Sequence, residues 1–312
     1  MNKLSVIVPC FNEEDSINLF YDTIEKVFVS IQKEWEFVPE YWFIDDGSSD
    51  KTLDQLRKLK KLDPEHVHYV SFSRNFGKEA ALYAGLQYST GDLVTVMDVD
   101  LQDPPELLPE MIKGIKNEGY DIVGCRREDR KGEPVIRSFF SNLFYKLINA
   151  ISHTQFISGV RDYRLMTRQV VNAILSVTEN NRFSKGIFSW VGFKTKYLTY
   201  KNRDRARGKT SWSFWQLFNY SIEGIINFSE VPLSVATFIG ILSCIIAVLG
   251  LCFIVVRTLI HGNPVAGWPS LVCIMLLIGG VQLFCLGIVG KYVGKIYLES
   301  KNRPIYIIKE QK

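Results

Sequence analysis

The segment Asp92-Leu-Val-Thr-Val-Met-Asp-Val-Asp-Leu-Gln-Asp-Pro-Pro-Glu106 changes character twice within 15 residues. Asp92 to Met97 is short and mostly apolar, the pattern of a buried strand. It runs straight into Asp98, Asp100 and Asp103, so three carboxylates follow the strand end. Pro104-Pro105 then suits the first turn of a helix reaching Asn117, where a missing N–H costs little. Strand, acidic loop and helix in that order make one βα unit of a sheet with helices on both faces.

The unit recurs on either side. Leu4 to Val8 reads as a buried strand, and Glu14 to Gln32 as a helix with Ile17, Phe20, Ile24, Val27 and Ile31 on one face. Tyr41 to Ile44 is a strand ending in Asp45-Asp46-Gly47-Ser48, and Asp50 can cap a helix carrying Leu53, Leu56 and Leu59. Val67 to Phe72 and Asp121 to Cys125 read as strands, Lys78 to Ser89 as a helix. The expectation is an α/β, Rossmann-like domain with a mostly parallel sheet over residues 1–211. Such sheets bind ligands at the carboxyl ends of their strands. Those ends carry Pro9 to Glu13, Asp45 to Ser48, Ser73 to Asn75 and Asp98 to Asp103. Carboxylates at three of the four imply a cation. No G-x-G-x-x-G and no G-x-x-x-x-G-K-[ST] occurs, so neither a dinucleotide fingerprint nor a P-loop is supported.

Charge is unevenly spread along the 312 residues. From Val231 to Gly290 the only Asp, Glu, Lys or Arg is Arg257. Two uncharged runs, about 232–256 and 269–290, are each long enough to cross a hydrocarbon core of about 30 Å. His261-Gly-Asn-Pro264 supplies a turn between them, which makes a transmembrane hairpin. Lys194 to Lys209 holds seven basic residues and one acidic, and Lys291 to Lys312 holds six and two. The positive-inside rule therefore places both termini and the large domain in the cytoplasm, with a basic tail over 293–312. Helical spacing of apolar residues over about 137–151 and 212–230 suits two amphipathic helices, at the headgroup layer or against a core; the second runs straight into the first span and is read as interfacial. The start of the chain shows no secretory signal. Six cysteines without C-x-x-C spacing read as reduced packing thiols. A net charge of +4 is no nucleic-acid signature.

Residues two apart in an extended chain point the same way. Asp98, Asp100 and Gln102 can thus offer oxygens to one hard cation, Mg²⁺ or Mn²⁺, that also binds phosphates. The four histidines are not clustered, and nothing resembles a zinc site.

Val8-Pro-Cys-Phe-Asn-Glu13, Asp45-Asp-Gly-Ser48, Ser73-Arg-Asn-Phe-Gly-Lys-Glu79, Asp98-Val-Asp-Leu-Gln-Asp-Pro-Pro-Glu106, Arg161-Asp-Tyr-Arg-Leu-Met166 and Arg207-Gly-Lys-Thr-Ser-Trp212 follow one another in this order. Together they resemble family 2 glycosyltransferases of the GT-A fold. With two C-terminal spans the chain is similar to the polyprenyl-phosphate branch, the bactoprenol glucosyltransferases and dolichol-phosphate mannosyltransferases. One departure is Phe11, where the family usually has Tyr: the stacking face is kept and the hydroxyl lost. The resemblance implies donor nucleotide contacts from Pro9, Phe11, Glu13, Asp45, Asp46, Asn75, Lys78 and Asp98. It implies a metal on Asp98, Asp100 and Gln102, and Asp162 near the sugar as candidate base. It implies Arg203, Arg205, Lys209 and Ser211 facing the acceptor phosphate, with Asp162, Asp100, Arg203, Arg205 and Lys209 forming the catalytic set.

Each motif also has a plainer reading. Asp46-Gly-Ser is an ordinary turn, Asp162 between Arg161 and Arg164 an ion pair, and Arg203 to Lys209 a headgroup patch. The acceptor implied, a lipid monophosphate, is a dianion near neutral pH and needs little base catalysis, so Asp162 reads equally as a positioning residue. The expected activity is an inverting, metal-dependent hexosyl transfer from a UDP-sugar, glucose first, to undecaprenyl or another polyprenyl phosphate. GDP-mannose, UDP-GlcNAc and UDP-galactose stay open as donors, as does a homo-oligomer. A processive synthase is disfavoured by the missing Gln-x-x-Arg-Trp. A non-catalytic scaffold or flippase subunit is disfavoured by the intact Asp98, Asp100 and Gln102.

Overall fold

The computed structural model describes residues 2–127, 144–152, 154–157, 159–200, 214–261 and 267–312. In chain order these form β1 (Asn2–Cys10), α1 (Ile17–Trp35), β2 (Phe37–Asp45), α2 (Thr52–Leu62), β3 (Val67–Phe72), α3 (Lys78–Tyr88), β4 (Leu93–Val96), α4 (Leu108–Lys116) and β5 (Ile122–Arg127). A short helix α5 (144–151) follows. Then come β6 (Val160–Thr167), α6 (Arg168–Ser176), α7 (Ser184–Trp190), β7 (Thr195–Tyr200), α8 (Phe214–Phe228), α9 (Val231–His261), α10 (Trp268–Ser300) and β8 (Ile308–Gln311).

The eight strands make one sheet in the order β7-β5-β6-β4-β1-β2-β3-β8. Neighbours β1/β2, β1/β4, β2/β3 and β5/β7 are parallel. Pairs β4/β6, β5/β6 and β3/β8 are antiparallel. Alternation along the strands splits the core. Val6, Val8, Tyr41 and Phe43 join α1, α2 and α4 on one face. Ile7, Trp42 and Ile44 join α3, α6 and α7 on the other. Both faces are covered, which explains the near-continuous apolar strands. β2 starts at Phe37, four residues before its pairing with β3 begins at Tyr41, so Pro39 occupies a stretch where its missing N–H is tolerated.

The parallel core places β1, β2, β3 and β4 side by side with their carboxyl ends together. Strands β6, β7 and β8 were not expected from the sequence. The segment 293–312, read from the sequence only as a basic tail, carries regular structure. Residues 291–300 continue α10, and the segment then adds an antiparallel strand to the β3 edge. Arg57 and Tyr69 hold Glu310 there, and Tyr306 stacks on Phe72 with ring centroids 4.8 Å apart.

Helices α9 and α10 have 31 and 33 residues, longer than the uncharged runs inside them, and are apolar enough to cross a membrane. The side chains described in them lie mostly exposed, unlike those of core helices in a globular protein. At its polar end α10 is fixed to the sheet domain. Glu299 accepts the N–H groups of Asn180 (3.0 Å) and Asn181 (2.9 Å), and Lys295 donates to Asn181 Oδ1 at 2.7 Å. Of the expected helix at about 137–151, residues 137–143 lie outside the described residues. The rest, α5, buries Ile148 against Phe156 and Phe183, with Phe144, Tyr145 and Phe228 of α8 beside them. Ile148 and Phe144 thus pack on the protein itself, while Leu147 stays 47% exposed.

Candidate active site

Four loops meet where β1, β2, β3 and β4 end. Those after β1 and β2 are tied crosswise. Asn12 N–H donates to Ser48 Oγ (2.9 Å), and Ser49 N–H to Asn12 Oδ1 (2.9 Å). Glu13 N–H donates to Thr52 Oγ1 at 2.8 Å, and Lys51 N–H to Glu14 Oε2 at 2.9 Å. Ser16 Oγ donates to Glu13 Oε2 at 2.8 Å. Asn12 takes a φ of 55°, a left-handed conformation seldom used by residues other than glycine. This leaves Phe11 projecting at 46% exposure above Pro9 and buried Cys10.

Asp45 and Asp46 are both buried, and both hold loops. Asp45 accepts from Ser48 N–H (3.0 Å) and Ser71 Oγ (2.7 Å). Asp46 accepts the backbone N–H groups of Phe76 (2.6 Å) and Gly77 (2.9 Å), which fixes the loop before α3. Burial raises the Asp46 carboxyl pKa and those two donors work against the rise. Gly47 is required between them and the α3 loop. Its φ is +67°, and a Cβ would lie 2.3 Å from the Arg74 carbonyl carbon.

The charged centre is built from β4, α3 and β6. Lys78, at the start of α3, places its ammonium 2.7 Å from Asp98 Oδ1 and 2.7 Å from Asp162 Oδ2. Burial alone would lower the Lys78 pKa, but the two carboxylates hold it well above its usual value. For Asp162 burial alone would raise the pKa. Lys78 foremost, with Lys185 and Arg164, drives it far below the usual carboxylate range. Arg161 reaches Asp103 Oδ1 at 3.3 Å and lies 4.0 Å from Asp98 Oδ2. Tyr200 of β7 also donates to Asp103. Asp100 is buried, and its Oδ1 accepts the Gln102 N–H at 3.2 Å across Leu101, whose φ is 55°. Two left-handed non-glycine residues, Asn12 and Leu101, thus flank one cleft, as strained backbone does at functional sites.

A model of the family described as "Glycosyl transferase family 2" matches residues 5–175. The chain belongs to that family. It is 44% identical over 310 residues to the bactoprenol glucosyl transferase of Shigella phage SfV, with 99% of each chain covered. It is 42% identical over 310 residues to the prophage bactoprenol glucosyl transferase homolog of Escherichia coli (strain K12), again with 99% of each covered. Among solved structures, glucosyl-3-phosphoglycerate synthase from Mycobacterium tuberculosis in complex with Mn²⁺, UDP-glucose and phosphoglyceric acid is 21% identical. That comparison has a TM-score of 0.47 and covers 72% of this chain and 78% of that one.

In this family 2 glycosyltransferase the strand ends bring together Pro9, Phe11, Glu13, Asp45, Asp46, Asn75, Lys78, Asp98, Asp100, Gln102 and Asp162. Arg203, Arg205, Lys209 and Ser211 lie outside the described residues. The donor chemistry fits a hard divalent cation, since Asp98 and Asp100 offer carboxylate oxygens from one strand end. Among the described residues no three His, Cys, Asp or Glu side chains form a protein-only cage. A cation held by one or two carboxylates and completed by substrate phosphates needs none. Buried Asp103 Oδ2 and Arg127 Nε, which have no hydrogen-bond partner, add unspent polar capacity beside it. The Gln102 amide oxygen faces the guanidinium groups of Arg127 and Arg161, each at 3.4 Å. Sequence reading gave no site role to Arg127, Arg161, Asp103 or Lys185. The Arg161-Asp-Tyr-Arg164 motif pointed to Arg161, and the acidic loop after β4 to Asp103.

Proposed function

We propose that this glycosyltransferase moves glucose from UDP-glucose to a polyprenyl phosphate, in one inverting displacement, at the cytoplasmic face of a membrane that α9 and α10 cross. The observation that carries this reading is the 42–44% identity to bactoprenol glucosyl transferases across 99% of the chain. That match spans both apolar helices as well as the carboxylate cleft.

Phe11 offers an exposed face on which a uracil ring stacks, with Pro9 and Glu13 beside it and Asp45 and Asp46 shaping the pocket floor. Asn75 and Lys78 contact the diphosphate. Asp98 and Asp100 would hold Mg²⁺ or Mn²⁺, with Gln102 joining once its amide oxygen leaves Arg127 and Arg161; the ion when bound would offset the charge developing on the diphosphate leaving group. Arg203, Arg205, Lys209 and Ser211 receive the lipid phosphate and bring two anions together. That phosphate is already a dianion near pH 7. No proton has to leave it, so Asp162, with its low proton affinity, serves better as the partner that orients Lys78 than as a base. The return of β8 to the β3 edge supports a topology with the catalytic domain and the last strand on one side of the membrane. The basic flanks favour the cytoplasmic side.

Nucleotide release in detergent, with undecaprenyl phosphate, Mg²⁺ or Mn²⁺ and a panel of UDP- and GDP-sugars, tests this. Lipid-dependent UDP release with UDP-glucose is the expected result. Folded protein that turns over no donor in a lipid-dependent way overturns it.

A further inference from the structure

The cleft already holds a cation of its own. Lys78 Nζ is 2.7 Å from Asp98, two residues past the end of β4, and 2.7 Å from Asp162 on the antiparallel neighbour β6. Arg161 closes on the other Asp98 oxygen at 4.0 Å. A divalent ion seated on Asp98 would lie beside the ammonium in a partly buried site, where two like charges about 4 Å apart repel far more strongly than in water. Lys78 is also positioned to change partners. It is the first residue of α3, next to a loop that Asp46 fixes through Phe76 and Gly77. Its side chain remains 38% exposed on the cleft side, so an incoming anion can reach the ammonium.

We propose that Lys78 is a resident counter-ion that closes the donor-free site to divalent metal and releases Asp98 to it only when a nucleoside diphosphate arrives to take the ammonium. This rests on the site being a metal–nucleotide site, as argued above. The exchange is balanced in charge. The diphosphate gives Lys78 new oxygens, Asp98 loses one cation and gains another, and Asp162 keeps its hydrogen bond from the Lys78 ammonium. Metal binding and donor binding are thereby made interdependent, and a linkage of this kind must act equally in both directions. Asp162 is the positioning residue that keeps Lys78 within reach of both states.

Full-length protein in detergent is titrated with Mn²⁺ alone, by the loss of the free-ion electron paramagnetic resonance signal, and with UDP by calorimetry. Wild type binds Mn²⁺ weakly without UDP and at least tenfold more tightly with it. Lys78→Met binds Mn²⁺ alone at least tenfold more tightly than wild type, yet binds UDP more weakly. A purely structural role would not move the two affinities in opposite directions. Lys185→Met, which removes a charge near Asp162 without touching Asp98, leaves Mn²⁺ affinity within about threefold and controls for general electrostatics. If Lys78→Met is unstable, Asp162→Asn, which weakens the hold on Lys78 while keeping its charge, reports instead through an altered ratio of Mn²⁺ affinities with and without UDP. Equal Mn²⁺ affinity in wild type and Lys78→Met, with UDP still enhancing it, overturns the counter-ion role and leaves the nucleotide site standing. No Mn²⁺ binding by any variant even with UDP overturns both.

Discussion

Carboxylates sit at opposite ends of the same sheet, in each case beside a lysine, and the two ends are built differently. Glu40 lies opposite Ser5 in the β1/β2 register, near the amino ends of the parallel strands. It accepts from Ser5 Oγ, from Thr90 N–H at 2.8 Å and Oγ1 at 2.6 Å, and from Lys3 at 3.0 Å. Burial alone would raise its pKa, and these donors instead lower it to about 2. That cluster is closed, with one carboxylate, one ammonium and neutral donors from the chain. At the carboxyl ends Asp98, Asp103 and Asp162 crowd around Lys78 and Arg161, two residues hold left-handed backbone, and, among the described residues, two buried polar atoms have no partner. One end spends its polar groups on stability. The other keeps capacity in reserve for a ligand that brings its own charge.

The largest effect expected breaks the comparison at the cleft. Asp100→Ala should lower lipid-dependent UDP release by about 100- to 1000-fold, the scale of losing a key charge-stabilising contact in a transition state. Its melting temperature in detergent should change little, because a residue kept for activity contributes little to the fold. A comparable loss of melting temperature would mean that Asp100 is part of the fold rather than of the reserve.

Glu40→Ala should do the reverse. It strands Ser5, Thr90 and Lys3 and should cost about 2–4 kcal/mol of stability, read as a fall in melting temperature, with turnover per folded molecule at low temperature unchanged. The pH dependence follows from the same residue. Its folded pKa, about 2, lies below the unfolded value of about 4.3, so its stabilisation is complete above pH 5 and is lost as pH falls toward 2. Glu40→Gln should flatten the melting temperature between about pH 4.5 and pH 2.5 relative to wild type. An unchanged slope would show that other carboxylates dominate acid unfolding.

The sequence made one end of this contrast far more legible than the other. Strand ends, acidic loops and apolar runs are local patterns, so β1 to β5 and the cleft could be located from hydrophobic periodicity and turn chemistry. Boundaries drifted where a polar or proline residue hides inside an element. α1 begins at Ile17 because residues 13–16 form a turn, and β2 reaches back past Pro39 to Phe37. The pairings that give the cleft its electrostatics are long-range. Lys78 and Asp162 are 84 positions apart, and Arg57 and Glu310 are 253 apart. Nothing local marks Ile308–Gln311 as a strand, because its partner edge is created only once β3 has folded. α10 outran its apolar run for a related reason. Past Gly290 its residues still favour helix, and Glu299 and Lys295 find their partners on the sheet domain rather than in water.

The smallest effect expected sharpens the contrast inside the cleft itself, between groups that bind charge and the one that offers a flat apolar face. Phe11 is 46% exposed where the neighbouring Cys10 is buried, so it is held open at some cost in hydrophobic burial. If that cost serves base stacking, Phe11→Ala should raise the KM for UDP-glucose about tenfold, the lower part of the range for one base on one aromatic face, with kcat within about threefold. Phe11→Tyr keeps the ring and should change KM by less than about threefold. The split between KM and kcat matters here. Stacking on the nucleoside is the same in the ground state and the transition state, so it lowers KM without raising kcat. A fall in kcat with Phe11→Ala at unchanged KM would move Phe11 away from the base and toward the reacting sugar.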